Sequence, residues 1–173
     1  MERRRKAAPT EAVGCTIEVS GMSFRLTSPA FPEGGTIPKL HTCEGAELSP
    51  ALEWSGEPEG TKSFVLIVDD PDAPVGTWNH WLLWDVPAST HTLAQGFKTG
   101  QAGESGTNDF GRLGYGGPCP PKGHGPHRYF FKLFAADVPS LGLSRGSKRA
   151  ELERALRGHA RGEARYMGRY ERK

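Results

Sequence analysis

The chain has 173 residues, 22 Lys and Arg against 20 Asp and Glu, and 36% hydrophobic residues. That fits one soluble globular domain and leaves no room for two full ones. No window reaches the roughly 18 apolar residues of a membrane-spanning helix, so at most peripheral membrane contact is expected.

The first residues, 1–13, carry Arg3, Arg4, Arg5 and Lys6 without an apolar core behind them. They read as a disordered basic arm and not as a signal peptide, followed by a single domain over 14–173. Phe24 to Ser28 is the first expected strand. Phe64 to Asp69, Trp78 to Asp85, Tyr129 to Ala136 and Ala164 to Glu171 follow, each rich in β-branched and aromatic residues and bounded by Gly, Pro, Ser or Asn. Two long irregular stretches separate them, Pro29 to Pro50 and Gln95 to Gly125. The second holds ten glycines in 31 residues, a length that marks a functional or poorly ordered loop. One short helix is expected after Gly146, with Ser147 as N-cap, Leu152, Ala155, Leu156 and His159 at helical spacing, and Glu153 paired with Arg157. The expected class is mainly β. Trp54, Trp81, Trp84, Phe130 and Phe134 read as packing aromatics.

Charge is uneven: residues 145–173 carry ten Lys/Arg and four Asp/Glu. No aromatic interleaves with these charges before Tyr166, so this end reads as a solvated helix face and no nucleic-acid partner is expected. Cys15, Cys43 and Cys119 are too few and too scattered for a disulfide framework, and none shows the spacing of a zinc knuckle or redox motif. A reducing cytoplasm is therefore the expected location.

Two segments concentrate ionisable groups beside stiff backbone. In the first, Asp69 and Asp70 end an apolar strand, Pro71 and Pro74 fix the turn that carries Asp72 and Ala73, and Trp78 and His80 open the next strand. A hairpin-like return brings His80 to Asp70, which favours the protonated imidazole. The second segment runs from Gly114 to Tyr129. Gly116 and Gly117 permit close backbone approach, and Pro118, Pro120 and Pro121 stiffen the loop and raise the chance of a cis peptide. His127 and Tyr129 face one side of the following strand and Arg128 the other. Cys119, between two prolines, reads as a packing residue, with a nucleophilic role weighed against it.

These phrases, together with LTSPAF, HTCEG, SPALEW and NDFG, closely resemble the phosphatidylethanolamine-binding protein family, also called Raf kinase inhibitor protein-like, in its bacterial branch. The resemblance implies two antiparallel sheets, a small anion pocket at one end, no metal or other cofactor, and no agreed catalytic role. Its pocket residues map onto Asp70, Asp72, Ala73, Pro74, Trp78, His80, Gly117, Pro118, Cys119, Pro120, His127 and Tyr129; animal members typically have Gly at the Cys119 position. Asn108, Asp109 and Phe110 are expected at a second subunit, because the bacterial branch is often dimeric. The expected function is a non-enzymatic binding protein for a phosphate, a phosphoethanolamine-like headgroup or a phosphorylated peptide, with a kinase or a protease as its target. The alternatives are a hydrolase using Asp70 with His80 or His127 as an acid–base pair, although no Gly-x-Ser-x-Gly elbow appears, and an interaction protein whose loops or basic end bind a partner.

Overall fold

The computed structural model describes residues 23–173; the arm expected over residues 1–13, the domain's start at 14, and Cys15 lie outside the described residues. Eight strands form two antiparallel sheets: β1 (Arg25–Thr27), β2 (Leu52–Ser55), β3 (Ser63–Asp70), β4 (Trp78–Pro87), β5 (Thr92–Leu93), β6 (Glu104–Ser105), β7 (His127–Ala136) and β8 (Ala160–Tyr170), with one helix, α1 (Arg149–Leu156). The small sheet has the order β1-β2-β5, the large one β6-β4-β3-β7-β8. The mainly β class with two antiparallel sheets is as expected.

Strand β3 explains the layering. All eight of its residues are buried, because a central strand covered on both faces is apolar throughout rather than alternating. Phe64, Leu66 and Val68 join Leu26, Leu52 and Trp54 of the small sheet in the core between the sheets. Val65 and Ile67 point the other way, against Leu152 and Leu156 of α1. The same alternation parts the two aspartates at the end of the strand. Asp69 goes to the helix side, where Lys132 Nζ and Arg149 Nη1 donate to its Oδ2 at 2.9 and 2.7 Å. Asp70 goes to the end of the inter-sheet core.

Several details differ from the sequence reading. Strands β2, β5 and β6 were not expected, since runs of four and two residues give no period to read. The N-cap of α1 is Lys148, whose N–H donates to Glu151; the Ser147 hydroxyl instead donates to the Ser144 carbonyl. Glu153 pairs with Arg149 one turn back, Arg157 is already the C-cap, and His159 lies beyond the helix against Asp137. Trp54, Trp81 and Trp84 are buried as expected, whereas Phe130 is half-buried with Arg128 and Lys132 over its ring at 5.5 and 5.9 Å, and Phe134 is half-buried at the edge of the helix-side core.

The basic end is basic along the chain but not in space. Arg145 pairs with Glu104, Arg149 with Asp69 and Arg161 with Asp137. These acids all come from the earlier part of the chain, so folding neutralises much of the excess. Among the described residues, no helix is long and apolar enough to cross a membrane.

Candidate functional site

Three elements meet at the end of the inter-sheet core. The first is the end of β3 and its turn. Asp70 Oδ1 accepts the Asp72 N–H at 2.8 Å, an Asx turn that fixes the Asp72–Pro74 wall. The second is the start of β4. The register passes from Val68↔Trp81 to Asp69↔Asn79, which leaves His80 as the extra residue of a bulge. Bulges re-aim side chains, and here one turns His80 to the side that carries Trp78 and Asp70. The third is the start of β7, where His127 and Tyr129 share the face expected of them and Arg128 points outward.

The loop from Gly106 to Pro121 closes the site. It runs along β4, with reciprocal bonds Asp109 N–H to Asn79 O at 3.0 Å and Asn79 N–H to Asp109 Oδ2 at 2.7 Å. Asn108 holds this loop from inside, donating to Gly114 O and accepting from the N–H groups of Phe110 and Arg112. Asn108 is buried, its side chain spent inside the loop, while Asp109 and Phe110 of the same stretch are exposed. Gly116 and Gly117 are needed for close approach: a Cβ on Gly117 would stand 2.5 Å from the His41 carbonyl oxygen.

The cavity between these elements is about 190 Å³ and takes in nine of the twelve expected residues: Asp70, Ala73, Pro74, Trp78, His80, Cys119, Pro120, His127 and Tyr129. The other three lie beside it and act on its walls. Asp72 turns outward to Arg128, whose guanidinium and N–H hold its carboxyl down to about 2. The Gly117 N–H donates to Glu47, and the Pro118 carbonyl accepts from the Cys43 N–H. Three wall residues escaped the sequence reading: Val75, Pro121 and Phe110. Phe110 sits edge-on to Trp78 and His80 at 5.5 and 5.3 Å, so the residue expected at a subunit contact is part of the pocket. No peptide bond among the described residues is cis.

The pairing of charges also differs from expectation. Asp70 Oδ2 accepts from His127 Nδ1 at 2.7 Å, and not from His80. His80 donates through Nδ1 to the Gly116 carbonyl at 2.7 Å. Burial lowers its pKa despite that bond and the nearby Asp70, so the site disfavours the protonated imidazole expected from a carboxylate neighbour. Desolvation outweighs attraction at so buried a side chain. His127 Nε2 faces Nδ1 of His124 at 2.7 Å; the signal for His124 was its place between Gly123 and Gly125 in the stiff loop. The Tyr129 hydroxyl and the Trp78 indole N–H are buried without a hydrogen-bond partner. Burial, then the Asp70 charge, push the Tyr129 pKa up, so it remains a neutral donor.

Cys119 is neither a free thiol nor a simple packing residue. It is joined to Cys43 in a disulfide that closes 76 residues of chain. A separation that long leaves no local signature, which is why the sequence reading expected no disulfide. The bond ties the Pro118–Pro121 wall to the segment after the 3-10 turn at Lys39–His41, and Arg172 beyond β8 reaches Cys119 Sγ and Pro120 O from the other side.

A family model described as phosphatidylethanolamine-binding protein matches residues 27–171. A UPF0098 protein of Aquifex aeolicus is 50% identical over 155 residues, covering 88% of this chain and 91% of its own length. Among solved structures, CT736 of Chlamydia trachomatis superposes with a TM-score of 0.81 at 38% identity, covering 87% of this chain and 99% of that one. YbcL of Escherichia coli gives 0.81 at 37% identity over the same shares.

Proposed function

The chain belongs to the phosphatidylethanolamine-binding protein family, and we propose from this and from the pocket that it is a binding protein for a single phosphate ester group. The observation that carries the reading is the pocket itself, which gathers Tyr129, His80 and Trp78 around the Asp70–His127 pair. Polar groups that converge within apolar walls need a partner, and an oxyanion supplies charge-assisted bonds. At about 190 Å³ the cavity is below the range of drug-sized sites; it suits a headgroup or one phosphorylated side chain and not an acyl chain. Exposed Val75 and Phe110 form an apolar rim, the kind of surface a kinase or protease presenting such a side chain would meet.

Calorimetric titration with O-phosphoethanolamine, inorganic phosphate and a phosphoserine peptide separates a lipid headgroup, a free anion and a protein partner as sources of the same group. Tyr129→Phe should weaken the ligand that binds roughly tenfold with no change in fold. Unchanged affinity in that variant would move the anion away from this pocket.

The hydrolase reading has one observation in its favour, the Asp70–His127 bond that orients an imidazole. It lacks a hydroxyl or thiol nucleophile of the Ser, Thr or Cys kind, because the pocket's sulfur is held in the disulfide and no Ser or Thr among the described residues lines the wall. Turnover of a chromogenic phosphate ester, lost in His127→Ala, would reinstate it.

A further inference from the structure

The two sulfurs of the Cys43–Cys119 disulfide stand in different electrostatic settings. On the Cys119 side, Arg172 Nη1 lies 3.5 Å from Sγ and 3.4 Å from the Pro120 carbonyl oxygen. Arg172 is half-buried and has no carboxylate partner among the described residues, and its Nε is buried without a hydrogen-bond partner. A guanidinium held in this way lacks a counter-charge. A disulfide sulfur is only a weak acceptor, whereas a thiolate on Cys119 would supply that charge. On the Cys43 side, the next residue is Glu44, whose carboxylate accepts the Tyr170 hydroxyl. A neighbouring cation favours a thiolate and a neighbouring carboxylate disfavours it, so Cys119 is the better leaving group of the two. Access follows the same division. Both cysteines are half-buried, but Cys43 opens onto the exposed residues Glu44, Gly45 and Ala46, while Cys119 lines the pocket.

We infer that this disulfide is a thiol-exchange site of fixed polarity: a thiol reductant attacks Cys43, and Cys119 leaves as a thiolate paired with Arg172. The reductant's thiolate forms a mixed disulfide with Cys43 Sγ, and the Cys43–Cys119 bond breaks with its electron pair going to Cys119. With a dithiol reductant, the second thiolate then displaces Cys43 from the mixed disulfide. The reductant ends as its own disulfide and gives up two protons, one to the Cys43 sulfur and one to solvent, while Cys119 stays a thiolate. Exchange at the outer sulfur thus frees the Pro118–Pro121 wall and sets a nucleophile in the pocket. None of this depends on which ligand the pocket takes.

The test exposes the oxidised, folded protein briefly to glutathione, quenches with excess N-ethylmaleimide and maps the products by peptide mass spectrometry. Glutathione should be found on Cys43 and maleimide on Cys119, in roughly tenfold excess or more over the reverse isomer, the size of one charge-assisted bond. Arg172→Met keeps the length of the side chain without its charge and should abolish most of that excess, whereas Arg172→Lys should retain it. A second readout uses Cys43→Ser, in which Cys119 is a free thiol. Its rate of alkylation against pH should have a midpoint below the ordinary thiol value of about 8.5, and adding Arg172→Met should move that midpoint upwards. An arginine that only braces the wall would change the unfolding midpoint and neither of these. Glutathione mainly on Cys119, equal labelling of the two cysteines, a bias indifferent to Arg172→Met, or a folded protein whose disulfide does not react with glutathione would each overturn the inference.

Discussion

An Asp70→Ala variant is expected to lose about 3 kcal/mol of folding stability and its ligand together. Asp70 is buried, and each of its carboxylate oxygens holds one donor, with Oδ1 accepting the Asp72 N–H and Oδ2 accepting from His127. Truncation orphans two donors, and the one on His127 is in a residue as buried as Asp70 itself. Each orphan costs about 1 to 3 kcal/mol. The turn that carries Ala73 and Pro74 and the orientation of His127 fail at the same time, so stability and binding fall for one reason. Asp70→Asn separates the two effects. Its amide oxygen can still accept from one donor, so part of the stability returns. Urea unfolding with an unchanged slope checks the loss, and a cost below about 1 kcal/mol for the alanine variant would show that the Asp70 bonds do not hold the site.

Reducing the Cys43–Cys119 disulfide is expected to cost about 4.5 kcal/mol, the chain-entropy value for a closed loop of this length. The double variant Cys43→Ser, Cys119→Ser should show the same loss without reductant. Part of the effect falls on the site, because Pro120 and Pro121 form its wall and are anchored through Cys119. Ligand affinity should therefore drop along with the unfolding midpoint. A midpoint indifferent to reductant would contradict the disulfide's structural role.

Much of the site was legible because its residues sit in two short segments with strong local rules. Alternation along β7 put His127 and Tyr129 on one face, and the prolines around Asp72 marked a rigid turn. What escaped was long-range. Asp70 meets His127 across 57 residues and not the nearby His80, because the bulge at His80 reshapes the return of β4. The Cys43–Cys119 pairing and Phe110 in the wall depend on how the long loops fold back, which no periodicity encodes. The basic end misled in the same way: a count along the chain cannot see Asp69, Glu104 and Asp137 waiting across space.

The central claim is that one phosphate ester group sits among Tyr129, Trp78 and His80. The most direct measurement follows the histidine, tyrosine and tryptophan side-chain resonances by NMR while O-phosphoethanolamine is added at pH 5.5. The account predicts saturable shifts at His80, Tyr129, Trp78 and the Gly114–Gly125 loop, with His91 and His159, which pair with Glu57 and Asp137 elsewhere, left unmoved. Shifts centred on α1 and the arginines of β8, or none at millimolar ligand, would contradict it.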